Sequence, residues 1–288
     1  MGVTIGGILS RLFATVKARF GALMGLWVVF VAASIGVGMV LSLVMGVGMI
    51  AGGGILAGAD PGEGGLMAMG MGVIAMMVVM YLVYIVVNLA SYAALAHMAS
   101  PLLQPSFGDS LSAGVRAALP LFGATLLLGI GYLVMFGALG AIGAVAGADG
   151  GAIGAIVLLL FLPVSIYLAC RLSILLPVAA VDGVRNPVTI ITRSWRLTRG
   201  HVLSILGATL AYVLIAVVLI VVAFLPVMAL FGADAMGSDA LGIGAILYLF
   251  LAMIVVFVVI TITGAGLGSA IHAGVSDAAG ETLQETFR

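Results

Sequence analysis

Between Gly21 and Ala59 the chain carries no charged residue. A helix of some twenty apolar residues is enough to cross the hydrocarbon of a bilayer. A soluble core has no room for an apolar run of this length, and comparable runs recur to the end of the chain. Charged residues make up 7% of the 288 residues and hydrophobic ones 64%, against about a quarter charged in an ordinary soluble domain. Strands that alternate polar and apolar residues are absent, which argues against an outer-membrane barrel. The expectation is an all-α polytopic membrane protein, one membrane domain over residues 1–288. Its 42 glycines suit helices that approach closely in lipid. One cysteine, Cys170, excludes an internal disulfide.

Hydropathy predicts six transmembrane helices, over about 22–49, 66–97, 118–147, 152–176, 201–231 and 241–271. Three short amphipathic helices are predicted on the cytoplasmic side, at 4–20, within 100–116 and at 186–199. In the second, Ser106 and Asp109 have capping-box spacing. Residues 276–288 read as a polar cytoplasmic tail. The order of amphipathic helix, span, turn and span suggests a threefold internal hairpin repeat, with units 1–98, 99–182 and 183–288. Phe122-Gly-Ala-Thr-Leu126 matches Leu206-Gly-Ala-Thr-Leu210, and the same offset sets Ser110 on Ser194 and Leu119 on Leu203. The first unit fits by pattern, not identity.

Six spans place both termini on one side. Arg11, Lys17, Arg19, Arg116, Arg171, Arg185, Arg193, Arg196, Arg199 and Arg288 all fall there. The alternate loops hold Asp60, Glu63, Asp149, Asp234 and Asp239 and no basic residue. By the positive-inside rule the basic side is cytoplasmic. The expected location is the bacterial cytoplasmic (inner) membrane, with multiple passes and both termini inside.

Half of the basic residues lie between Cys170 and Gly200. Asn186 can cap a helix that starts at Pro187, where a missing N–H does no harm. On that helix Val188, Ile191 and Trp195 share one side, while Arg193, Arg196 and Arg199 occupy another. Trp195 suits the headgroup level, and the arginines can meet lipid phosphates or acidic protein groups. Gly200 is placed to end the helix. Arg171 lies in an apolar helix, where it can snorkel to the headgroups, pair with Asp182 or hold a lipid phosphate.

The run Arg171-Leu-Ser-Ile-Leu-Leu-Pro-Val-Ala-Ala-Val-Asp-Gly-Val-Arg-Asn-Pro187, followed by Thr192-Arg-Ser-Trp-Arg-Leu-Thr-Arg-Gly200, resembles the signature of the glycerophosphoryl diester phosphodiesterase membrane-domain family. The matching positions are Arg171, Pro177, Asp182, Gly183, Arg193, Ser194, Trp195, Leu197 and Gly200. Some members carry a soluble phosphodiesterase barrel after the membrane domain. Here the sequence ends at Arg288, shortly after its last apolar run. No catalytic barrel is expected, and no phosphodiesterase activity is implied.

Chemistry-bearing motifs are scarce. There is no phosphate-binding loop, no His pair at metal-ligand spacing and no cysteine cluster. His97, His201 and His272 all lie at inner helix ends and read as interfacial histidines. No catalytic residue, metal site or cofactor is expected. The candidate lipid- or partner-binding face comprises Arg171, Arg185, Arg193, Trp195, Arg196, Arg199, Arg11, Lys17, Arg19 and Arg116. Its expected partners are anionic lipids of the cytoplasmic leaflet, with a larger membrane complex or further copies of the chain as the other candidates, and no nucleic acid. The leading reading is a non-enzymatic accessory or organising protein. The alternative is a permease for a small or lipidic substrate, although ionisable groups are missing from mid-span, where a transporter usually places them.

Overall fold

A computed structural model describes residues 3–51, 71–145, 151–232 and 243–286, called the described residues below. They form eight helices: α1 (Ile5–Ala51), α2 (Met71–Met98), α3 (Phe107–Val145), α4 (Gly151–Leu172), α5 (Leu175–Ala180), α6 (Pro187–Leu197), α7 (Val202–Gly232) and α8 (Ile243–Thr286). Six stretches are long and apolar enough to cross a membrane. The chain is an integral membrane protein. The acidic residues of the alternate loops (Asp60, Glu63, Asp149, Asp234 and Asp239) and Arg288 lie outside the described residues.

The amphipathic segments are joined to their spans in two different ways. The first is continuous with its span in α1, and the two meet at a kink where Arg19 leaves helical geometry (φ −119°, ψ 18°). The second runs unbroken through Pro120 into the span of α3. Separate helices were expected in both places. Only the third is detached: α6 ends at Leu197, and Gly200 takes φ +87°, a left-handed conformation that favours glycine. The expected polar tail is helical as far as Thr286, as an extension of α8.

Caps follow the sequence. The Asn186 side chain accepts from the backbone N–H of Val188 (2.9 Å) and Thr189 (3.3 Å), with Pro187 opening α6. Asp109 accepts from the Ser106 N–H, and the Ser106 hydroxyl accepts from the Asp109 N–H, each at 3.1 Å.

Among the described residues, packing is concentrated at the end of the bundle that carries the basic residues. One buried cluster draws on every helix there, including Ile8, Leu12, Ala93, Leu121, Ile174, Ile190, Ile205 and Ile271. A second joins Leu23, Leu26 and Phe30 to Ala90, Ala94, Leu95, Val258 and Ile262. Farther out the helices separate. From Val213 to Val222 of α7 every residue except Ala216 is exposed. A helix that is apolar on all sides meets lipid there, not protein.

Three glycines link successive hairpins. A Cβ on Gly25 would meet Phe107 at 3.2 Å, one on Gly123 would meet Pro187 at 2.8 Å, and one on Gly207 would meet Ile5 at 2.5 Å. Phe107, Pro187 and Ile5 are the first residues of α3, α6 and α1. The starts of α3, α6 and α1 thus pack against α1, α3 and α7 respectively. Relative to each glycine, buried residues recur in register: Leu12, Ser110 and Ser194 thirteen positions before, Leu23, Leu121 and Ile205 two before, and Leu26, Ala124 and Ala208 one after.

Within lipid such contacts matter because close packing, not the hydrophobic effect, joins helices. Between α2 and α3 the approach is backbone to backbone: a Cβ on Gly114 would lie 2.5 Å from the Ala90 carbonyl oxygen and 2.9 Å from the Ala94 nitrogen. Backbone cannot yield as a flexible side chain can. Gly114→Ala is therefore expected to destabilise the protein by about 1–3 kcal/mol. Gly131→Ala, with nothing within 4 Å, should leave its thermal unfolding in detergent unchanged. Equal melting of the two variants would contradict this packing.

Candidate functional site

The segment between α4 and α7 builds the site. Arg171 ends the apolar run of α4 and is buried, at 7% exposure. Its Nε donates to the Tyr167 hydroxyl (3.0 Å) and its Nη1 to the Trp195 carbonyl (2.8 Å). The guanidinium also stacks on the rings of Trp195 (4.6 Å) and Tyr167 (5.3 Å). In return, the Arg171 carbonyl accepts from the hydroxyls of Ser194 (2.8 Å) and Thr198 (3.3 Å). Arg171 and α6 thus hold each other, and Arg171 makes no ion pair with Asp182.

Asp182 has other partners. Its Oδ2 accepts from Nε of Arg193 at 2.7 Å and lies 3.3 Å from Nε2 of His272. Burial alone would push this carboxyl up, but the hydrogen bonds and charges of His272 and Arg193 outweigh it and hold Asp182 below its ordinary value. His272 is 1% exposed, and among the described residues its Nδ1 has no hydrogen-bond partner. Gly183, at φ +68°, turns the chain immediately after Asp182.

With α6 fixed on this joint, its three sides have different neighbours. Ile190, Ser194 and Thr198 are buried against the protein. Val188 and Trp195 of the predicted apolar stripe point outward, at 56% and 37% exposure. The third side opens on a cleft of about 510 Å³ lined by Arg193, Arg196, Leu197, Arg199, His201, Val275, Ala278 and Ala279. Basic groups line the cleft together with small apolar residues, Val275, Ala278 and Ala279, of α8. Arg193 is shared with Asp182. Among the described residues the guanidinium groups of Arg196 and Arg199 have no hydrogen-bond or ion-pair partner, and both side chains are exposed.

The other predicted basic residues lie elsewhere. Arg19 donates to the carbonyls of Met98 (2.8 Å), Ser100 (3.1 Å) and Leu103 (2.6 Å), so it caps the C-terminal end of α2. Arg11 pairs with Asp277 at 2.7 Å on the surface. Arg185 donates to the Arg116 carbonyl at 2.9 Å, and Lys17 is exposed. The predicted face therefore separates into helix-fixing residues (Arg19, Arg171), peripheral ones (Arg11, Lys17, Arg116, Arg185) and the cleft. His201 was not among the predicted site residues. Its place directly after Gly200, at the start of α7, was the available signal. The α8 residues lie too far along the chain for any local pattern to connect them to the arginines.

A site of this kind attracts anions: guanidinium groups offer paired donors to phosphate or carboxylate. Among the described residues no group of three or more His, Cys, Asp or Glu could hold a metal ion.

The Asp182 hub predicts a pH dependence. A carboxyl whose pKa is depressed in the fold stabilises fully above its unfolded value, and the stabilisation is lost as pH falls through the folded value. Thermal stability of the natural protein should therefore decline below about pH 4 more steeply than that of Asp182→Asn. At pH 7 the variant should be less stable by about 1–3 kcal/mol, because the buried His272 loses its charged partner while the half-exposed Arg193 turns to solvent. Parallel acid limbs for the two proteins would contradict this role.

Residues 151–283 match the family model described as the membrane domain of glycerophosphoryl diester phosphodiesterase. That span runs from α4 through most of α8 and includes Arg171, Asp182, His272 and every residue lining the cleft. No curated protein and no solved structure matches the chain. The resemblance read between Arg171 and Gly200 thus extends, as a match over residues 151–283, to the membrane domain of glycerophosphoryl diester phosphodiesterase.

Proposed function

We propose that the protein is a non-enzymatic, lipid-interacting organiser of a bacterial inner membrane, with both termini cytoplasmic. Its cleft holds the phosphate headgroup of an anionic lipid from the cytoplasmic leaflet. The observation that carries this reading is the cleft itself, where Arg193, Arg196, Arg199 and His201 share one opening with Val275, Ala278 and Ala279. A phospholipid has the matching form, an anionic head joined to an apolar body. The outward Val188 and Trp195 of α6 fit a helix lying at the headgroup level.

We further read the three hairpins as copies of one unit. The glycine contacts and the buried register around Gly25, Gly123 and Gly207 support this. A permease would need a polar passage between the spans. The mid-depth pocket described below, about 50 Å³, has room for a hydroxyl group or one or two waters but is not a path.

Reconstituted vesicles containing spin-labelled phosphatidylglycerol or phosphatidylcholine test the proposal. The natural protein should prefer phosphatidylglycerol. Arg196→Gln with Arg199→Gln should lower that preference by roughly 1 kcal/mol per arginine, and added salt should weaken what remains. Lys17→Gln, an exposed residue that does not line the cleft, should keep it. Identical preference in the natural protein and the double variant would refute the lipid site.

A further inference from the structure

A second cavity lies between α1, α2 and α8, inside the membrane-spanning region. It has a volume of about 50 Å³ and is lined by Trp27, Phe30, Val31, Ser34, Asn88, Ser91, Tyr92, Leu95, Phe257 and Thr261. Its depth follows from helix geometry. Asn88 lies near the middle of the apolar span Ala75–Met98, ten residues or about 15 Å along α2 from its end.

Five polar side chains from three helices line this cavity. Three of them donate to their own helix: the Asn88 amide to the Tyr84 carbonyl (2.9 Å), Ser91 to the Asn88 carbonyl (2.9 Å) and Thr261 to the Phe257 carbonyl (2.8 Å). Those bonds leave the Asn88 Oδ1 and its second N–H unused, together with the hydroxyl lone pairs. Among the described residues the hydroxyls of Ser34 and Tyr92 have no hydrogen-bond partner. Polar groups left unmatched in hydrocarbon are costly, so their convergence on one cavity calls for a hydrogen-bonding occupant.

The lining also limits what that occupant is. It contains no acidic or basic side chain, so a charged guest would find no counter-charge. The volume admits a hydroxyl group but no sugar or aromatic ring. Phe257, one of the lining residues, is 57% exposed on the outer surface of the apolar span Ile246–Ala279, so the cavity lies close to where an apolar tail would run.

We propose that this pocket binds the free hydroxyl of a neutral lipid, a long-chain alcohol or hydroxyl-bearing glyceride, whose tail stays in the bilayer. The Asn88 Oδ1 accepts from that hydroxyl, and Tyr92 or Ser34 donates to it. The site is independent of the basic cleft and stands or falls separately from it.

Trp27, which lines the pocket against Phe257 (ring centroids 6.4 Å apart), supplies the reporter. Tryptophan emission of the purified full chain in detergent is followed as 1-octanol or octane is added at matched concentration. Octanol should give a saturable shift that octane does not, and the shift should vanish in Trp27→Phe, which leaves Trp195 as the remaining fluorophore. Tyr92→Phe, which removes one oxygen, and Asn88→Leu should each raise the half-saturating octanol concentration by up to about tenfold. Matching octanol and octane curves, or an octanol curve unmoved by both variants, would overturn the proposal and leave the pocket to water.

Discussion

The rest of the structure depends on the mutual grip between Arg171 and α6. A guanidinium at the end of an apolar helix needs both its charge and its donors accommodated. Here the Trp195 and Tyr167 rings face the charge, while the Trp195 carbonyl and Tyr167 hydroxyl take the donors. The Arg171 carbonyl in turn takes protons from Ser194 and Thr198. Since α6 is held on its Ser194 side, Arg196 and Arg199 are left outside, facing the cleft. Asp182 adds a second tie through Arg193 and His272, which fixes α6 relative to α8. The residues that carry the family resemblance are largely those of this joint: Arg171, Asp182, Gly183, Arg193, Ser194, Trp195 and Gly200.

The distribution of packing follows from the solvent. Lipid gives apolar spans no reason to close on one another, so association rests on close contact and on polar ties. Both are concentrated at the basic end, where glycines admit neighbouring helices and Arg19 caps α2. Toward the other end α7 is exposed on all sides. The protein is a tightly knit base carrying spans that separate into the membrane, and the proposed lipid cleft belongs to the base.

The class, the six spans and the caps at Asn186 and Ser106 were legible because hydropathy and capping are local properties. The joins between amphipathic segments and spans were less so. A helix can continue through Pro120, or through Arg19 with a kink, when its tertiary neighbours support it, and local sequence records no such support. Spacing identified Arg193, Arg196 and Arg199, but not that Arg171 and Arg19 would be consumed by structure. That outcome rests on Trp195 and on the carbonyls at the end of α2, partners 24 and 79 or more residues away. The same limit hid the α8 side of the cleft and the meeting of Ser34, Asn88 and Thr261.

The most direct test of the account is native mass spectrometry of the intact protein, extracted gently from its own membrane, with identification of what it retains. The account predicts one anionic phospholipid per chain, enriched well above its share of the membrane and lost when Arg196 and Arg199 are both changed to Gln. Retained lipids that merely mirror the bulk membrane, in the natural protein and the variant alike, would contradict it.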